Sequence, residues 1–243
     1  MYEDLNYIHY SPIRDFDYAQ WFQYTRYNGK TLNDQERDEF IQMVNEEITR
    51  YSSELPLLFK RIKEINGIDD KSHNIETVLY SSSLFVTMTT VDCMVASKYF
   101  LLADTDYDKR YMRGKLKIVL NEGFKKLYGF KEKKEGTVWH TLSDCMQICP
   151  DVIKQQYLIL SSLLENHSHS SPWWKFERDI ETHLETEKLY ESRMVDIDES
   201  QVMMETLRLF GALYAVDSFL SNVLNTFVNT LLFKYQQGEL IGE

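Results

Sequence analysis

Glycine and proline are both scarce, with nine Gly and four Pro in 243 residues. A many-stranded β-protein needs those residues for its turns, so the shortage points to long helices. Cysteine is limited to Cys93, Cys145 and Cys149. An odd count that fits no zinc spacing argues against a disulfide framework and for free thiols in a reducing compartment. Positive charge is also in deficit: 27 Lys and Arg face 38 Asp and Glu, a net charge of −11. An acidic surface repels nucleic acid, so any RNA-binding activity must draw on a local basic patch. The N-terminus, "MYEDLNYIHYSPIRDF", lacks the basic and apolar regions of a signal peptide. The most apolar window, "SLFVTMTTVDCMVASKYFLLA", is interrupted by Asp92 and Lys98, which argues against a membrane span. The expectation is a cytoplasmic protein.

Apolar side chains make up 43 % of the sequence, enough for one large domain or two small ones. Residues 1 to 30 hold nine aromatics: Tyr2, Tyr7, Tyr10, Phe16, Tyr18, Trp21, Phe22, Tyr24 and Tyr27. No helical or strand period orders them, so they read as an extended arm lying on the domain or on a second subunit. This arm and a helical extension occupy residues 1–70, ahead of a helical bundle over 71–243.

Thr31 and Asp34 suit the start of a first helix, in which Phe40, Val44, Ile48, Tyr51 and Leu55 recur at helical spacing. Pro56 is expected to kink or break it, with "LLFKRIKEING" resuming a shorter helix that ends at Gly67. A second helix is predicted over about 75–103. Phe85, Met88, Val95, Tyr99 and Leu102 share one face there, and Asp92 completes a 3-4-3-4-3 spacing. The third, about 107–128, carries Met112, Leu116, Val119, Gly123 and Leu127 on its inner seam. "GFKEKKEGTVWHTLSD" then reads as a basic loop able to form a small hairpin. A fourth helix starts near Pro150 with Ile153, Tyr157, Leu160 and Leu164. Ser171 and Pro172 open a helix to about 191, and Asp198 with Gln201 caps the last, 199–236. That helix carries Phe210, Leu213, Asp217, Leu220, Leu224, Phe227 and Leu231 in a bundle seam. The fold class is all-α, an up-and-down bundle of about six helices.

Chemistry is concentrated in residues 170–193, "SSPWWKFERDIETHLETEKLYESR". Within it, R-D-I-E-T-H places Arg178, Asp179 and His183 together. Histidine is the side-chain type suited to proton transfer near neutral pH, which makes His183 a candidate to move protons at a ribose 2′-hydroxyl or a leaving oxygen. Arg178 offers forked donors to the charge that develops on a phosphorane-like transition state. Asp179 can orient one of those donors or cap the helix. Neither a phosphate-cradling loop nor a paired-Cys zinc motif is present.

An Arg, a polar residue, three more and a His, just ahead of the long final helix of an all-α chain, resembles the HEPN superfamily. The resemblance covers residues from about 75 to 236. It implies a homodimer whose two motifs meet across the interface, with Arg178, Asp179 and His183 as the catalytic set and no cofactor. Many members are metal-independent endoribonucleases of phage-defence or toxin–antitoxin systems; others have lost activity and only bind RNA, a nucleotide or a protein partner such as an antitoxin. Residues five apart on a regular helix project about 140° from each other. A second subunit, or a local distortion, is therefore needed to aim Arg178 and His183 at one phosphate. The competing reading is an acidic surface helix, in which Arg178 pairs with Glu181 or Thr182.

From Lys109 to Glu135 there are ten basic and three acidic residues. Lys109, Arg110, Arg113, Lys117, Lys131, Lys133 and Lys134 are the candidate RNA contacts, with a solvated helix face as the bland alternative. Asp92 and Asp217 sit within apolar seams, where an unpaired carboxylate is costly, so each calls for a partner. A structural ion pair is the first choice and Arg178 the second. His167 and His169 could join His140 or His183 on a metal, but acidic partners at a defined spacing are missing. Trp173 and Trp174 fit packing anchors better than base-stacking platforms.

Overall fold

A computed structural model describes residues 33–66, 73–129, 135–170, 179–180, 182, 186–194 and 196–236. Among them are seven α-helices and no strand. The helices are α1 Asp34–Asn66, α2 His73–Leu101, α3 Asp106–Leu127, α4 Val138–Cys145, α5 Asp151–Ser170, α6 Thr186–Met194 and α7 Glu199–Gln236. A short 3₁₀ turn, Met146–Ile148, follows α4. The aromatic arm, Thr31, and the side chains of Phe40, Phe210, Phe227 and Leu231 lie outside the described residues.

Several local expectations change. The helix α1 runs unbroken through Pro56. Pro56 is exposed, so its ring interrupts the hydrogen-bond ladder away from the core. Where a hairpin was expected, Val138–Cys145 is helical, started by Thr137, whose hydroxyl accepts from the His140 N–H at 3.2 Å. The last helix keeps its expected bounds, and the Asp198 carboxylate accepts from the Gln201 N–H at 3.1 Å. Gly129, at φ 87°, closes α3 by donating its N–H to the Phe124 carbonyl at 3.2 Å, a left-handed position that glycine fills at no steric cost.

Two polar contacts fix α1 antiparallel to α2. Thr77 donates to the Asn66 side chain at 3.2 Å, and Lys98 donates to the Asn45 side chain at 2.9 Å. The helix α2 packs against α1, α3 and α7. Along α3 and α7 the partners advance together: Lys109 meets Glu199, Lys117 meets Glu205, and Gly123 meets Leu209. Those two helices therefore run parallel, as alternate helices of an up-and-down bundle do. Val44, Tyr51, Ile62 and Ile65 of α1 join the same apolar core as Leu79, Phe100, Leu116, Phe124, Leu213 and Phe219.

The face of α2 expected to be its inner seam points outward. Met88, Tyr99 and Leu102 are 48 %, 50 % and 41 % exposed, and Asp92 is exposed with them. The buried side carries Leu79, Val86, Met94 and Phe100 together with Ser82, Thr87, Thr90 and Ser97. Ser82, Thr90 and Ser97 donate to the carbonyls of Val78, Val86 and Cys93 at 2.7, 2.8 and 2.6 Å. With their hydroxyls satisfied inside the helix, these small residues can be buried and let neighbouring backbones approach. Apolar periodicity alone ranks such a face too low. Residues Ile75–Leu101 are long and apolar enough to cross a membrane, but half of that stretch is buried in the bundle, which accounts for its composition.

Candidate functional site

The segment that carries the motif is partly described. Arg178 and His183 lie outside the described residues, as do Trp173, Trp174 and the side chains of His167 and His169. Asp179, Ile180 and Thr182 are helical. Asp179 is half-buried, and its carbonyl accepts from the Thr182 hydroxyl at 3.4 Å. Three residues after His183 the chain enters α6, which packs against α3.

That docking is polar and aromatic. Arg113 donates to the Ser192 carbonyl at 3.1 Å, and Arg193 returns a bond of 3.4 Å to the Arg110 carbonyl. The Arg193 guanidinium also lies 5.5 Å from the centre of the Tyr111 ring, and the Lys115 ammonium lies 4.9 Å from it. The helix that follows the motif is thus held on the most basic helix among the described residues. Arg193 is buried, while Tyr107, Tyr111 and Tyr190 stay exposed around the junction.

The basic stretch divides into structural and available charges. Lys117 is buried and paired with Glu205, and Lys109 is paired with Glu199. The Lys117 charge belongs to the core and is not presented at the surface, which removes it from the expected RNA-binding set. Lys109 is half-buried with its charge largely cancelled. Arg110 is half-buried, its carbonyl taken up by Arg193. Arg113 spends a donor on a neutral carbonyl and Lys115 rests on a ring, and among the described residues neither forms an ion pair with a carboxylate. Lys131, Lys133 and Lys134 lie outside the described residues.

Tyr111, Lys115 and Arg193 did not stand out in the sequence. The i, i+4 spacing of Tyr111 and Lys115 was visible there, whereas the approach of Arg193 is a tertiary contact with no local signature. Asp217 is 2 % exposed and is not without a partner; Asp92, by contrast, is a surface residue. Partial desolvation still pushes the Asp92 carboxyl above its usual range.

Burial likewise pushes the Cys93 thiol up, and the Cys145 thiol up to about 11, so both are uncharged packing groups. Among the described residues no cluster of three His, Cys, Asp or Glu side chains is placed to hold a metal ion. Comparison with family models, curated proteins and solved structures returns no match.

Proposed function

We propose that this chain is a HEPN-like, metal-independent endoribonuclease that acts as a homodimer. The observation that carries the reading is the junction of α6 with α3. It ties α6, which begins three residues after His183, to a helix whose Arg113 and Lys115 form no ion pair among the described residues. Phosphates attracted there by simple electrostatics would meet a helix to which the segment after His183 is docked.

In this reading a ribose 2′-hydroxyl attacks the adjacent phosphorus. The new 2′-O–P bond forms as the P–O5′ bond breaks, leaving a cyclic phosphate and a 5′-hydroxyl. His183 takes the proton from the 2′-hydroxyl or delivers one to the departing oxygen, and Arg178 stabilises the charge on the phosphoryl oxygens. Asp179 orients Arg178. The pairing of Arg178 from one subunit with His183 of the partner subunit answers the 140° separation that a regular helix imposes.

A second reading, a bundle of the same shape that binds RNA or a protein without cleaving, draws on charge. Glu177, Glu181, Glu185 and Glu187 surround the motif, and Lys109 and Lys117 are committed to internal pairs. Incubation with total RNA in EDTA separates the two. The ribonuclease cleaves, and Arg178→Ala and His183→Ala both abolish cleavage. Equal traces from all three folded proteins leave the binding module.

A further inference from the structure

The junction of α3 and α6 leaves two tyrosine rings in water beside two cations. Tyr107 is 59 % and Tyr190 64 % exposed, and among the described residues neither makes a hydrogen bond or a ring contact. Tyr111 is already occupied, since the Arg193 guanidinium and the Lys115 ammonium lie against its ring. Tyr107 comes about one helical turn before Tyr111, and Tyr190 about one turn before Arg193, so the two open rings border the Arg193–Tyr111 contact. Isolated exposed aromatics are ordinary on a protein surface. Open rings on two touching helices, beside Arg113 and Lys115, form a recognition surface.

We propose that Tyr107 and Tyr190 stack the bases of unpaired RNA while Arg113 and Lys115 hold its phosphates. The proposal rests on the ribonuclease reading for the kind of ligand, and adds the residues that tell a single strand from a duplex.

The chemistry of the two groups divides the work. Every base has a π-face that a tyrosine can stack, whatever the sequence. Phosphates are drawn to cations without a carboxylate partner, and Arg113 and Lys115 meet that condition among the described residues. The Tyr111 ring also steadies the Lys115 ammonium, which lowers the cost of ordering it against a ligand.

The neighbouring carboxylates supply the selectivity. Asp104, Asp106 and Asp108 surround Tyr107 in the chain, and Glu187 and Glu191 share α6 with Tyr190. They repel phosphates from the two rings but do not repel neutral bases. A duplex turns its phosphates outward and keeps its bases stacked inside, so it offers these rings nothing to bind. A single strand can turn its bases to the tyrosines and leave its phosphates at the cations.

Fluorescence anisotropy tests this with a labelled 2′-O-methyl RNA strand of about twelve nucleotides, alone and as a duplex. Such a strand has no 2′-hydroxyl to attack its own phosphate, so it survives the assay. Wild type is compared with Tyr107→Ala, Tyr190→Ala, Tyr107→Phe, Lys115→Ala and Tyr99→Ala, with helicity checked by circular dichroism. Tyr99 is an exposed tyrosine of α2 and serves as the control. The single strand should bind at least tenfold more tightly than the duplex. Tyr107→Ala and Tyr190→Ala should each weaken it about tenfold, whereas Tyr107→Phe and Tyr99→Ala should match wild type. Lys115→Ala should lower the slope of log affinity against log salt by about one. Equal binding of duplex and single strand overturns the proposal, as does no binding, or folded alanine variants that bind like wild type. Cleavage of total RNA in EDTA is measured on the same proteins. Strand binding that depends on both tyrosines without any cleavage keeps the platform and defeats the ribonuclease. Wild-type cleavage that is undiminished in Tyr107→Ala and Tyr190→Ala does the reverse.

Discussion

Lys117 of α3 and Glu205 of α7 form an ion pair inside the bundle, each side chain 4 % exposed. Together with Lys109 and Glu199 at the more open end, the pair sets the register of two parallel helices that have no loop between them. Removing one partner strands the other charge in the core. Lys117→Met should therefore lower the unfolding free energy by about 3–5 kcal/mol, while Lys117→Met with Glu205→Leu should recover most of that loss. Urea denaturation of the two variants and wild type measures both. A single variant as stable as wild type would mean that water reaches the pair.

Gly123 of α3 lies against both α2 and α7. A Cβ placed there would lie 2.7 Å from the Thr89 methyl and 3.3 Å from Leu209 Cδ2. Gly123→Ala gains helix propensity, but overpacking at a three-helix contact outweighs it, with an expected net loss of about 1–2 kcal/mol. Thr89→Ser removes the offending methyl and keeps the hydroxyl. The double variant should therefore be at least as stable as Gly123→Ala alone, and thermal melts will show whether the order of melting temperatures is wild type, double, single.

These contacts mark what the sequence could and could not convey. The bounds of α7 and its Asp198 cap were legible because capping chemistry is local. The orientation of α2 was not, since Ser97 and Thr90 satisfy themselves on their own helix and pass as core residues despite their polarity. The face with the best heptad spacing was left outside. Lys117 illustrates the same limit for the site. Among ten basic residues in 27 positions, nothing local distinguishes the lysine that enters the core from the arginine that stays at the surface. That choice is made by Glu205, 88 residues away. The Arg178–His183 motif could be read for its chemistry, because a short pattern of reactive types needs no tertiary context to be noticed.

Asp92 offers a pH test that needs only the folded protein. Burial raises its carboxyl pKa above the ordinary aspartate range, so the ionised form is favoured more in the unfolded chain than in the native one. Ionisation thus costs the native state stability that is present while the group is protonated and lost as pH rises through the raised pKa. Asp92→Asn should melt at a higher temperature than wild type at pH 7, by a margin worth less than about 1 kcal/mol because the side chain is exposed. The margin should close as pH falls below the aspartate range. A margin that stays constant with pH would assign it to hydrogen bonding by the new amide.

Mixing experiments address the site most directly. If Arg178 of one subunit works with His183 of the partner subunit, a dimer has two composite sites. Arg178→Ala and His183→Ala homodimers then hold no complete site. A heterodimer of the two holds one complete site and one that lacks both groups. Co-purified heterodimers, tagged differently on each chain, should regain up to about half the wild-type rate of RNA cleavage in EDTA, while either homodimer stays at background. If both groups act from the same subunit, each site in the heterodimer lacks one residue and no activity returns.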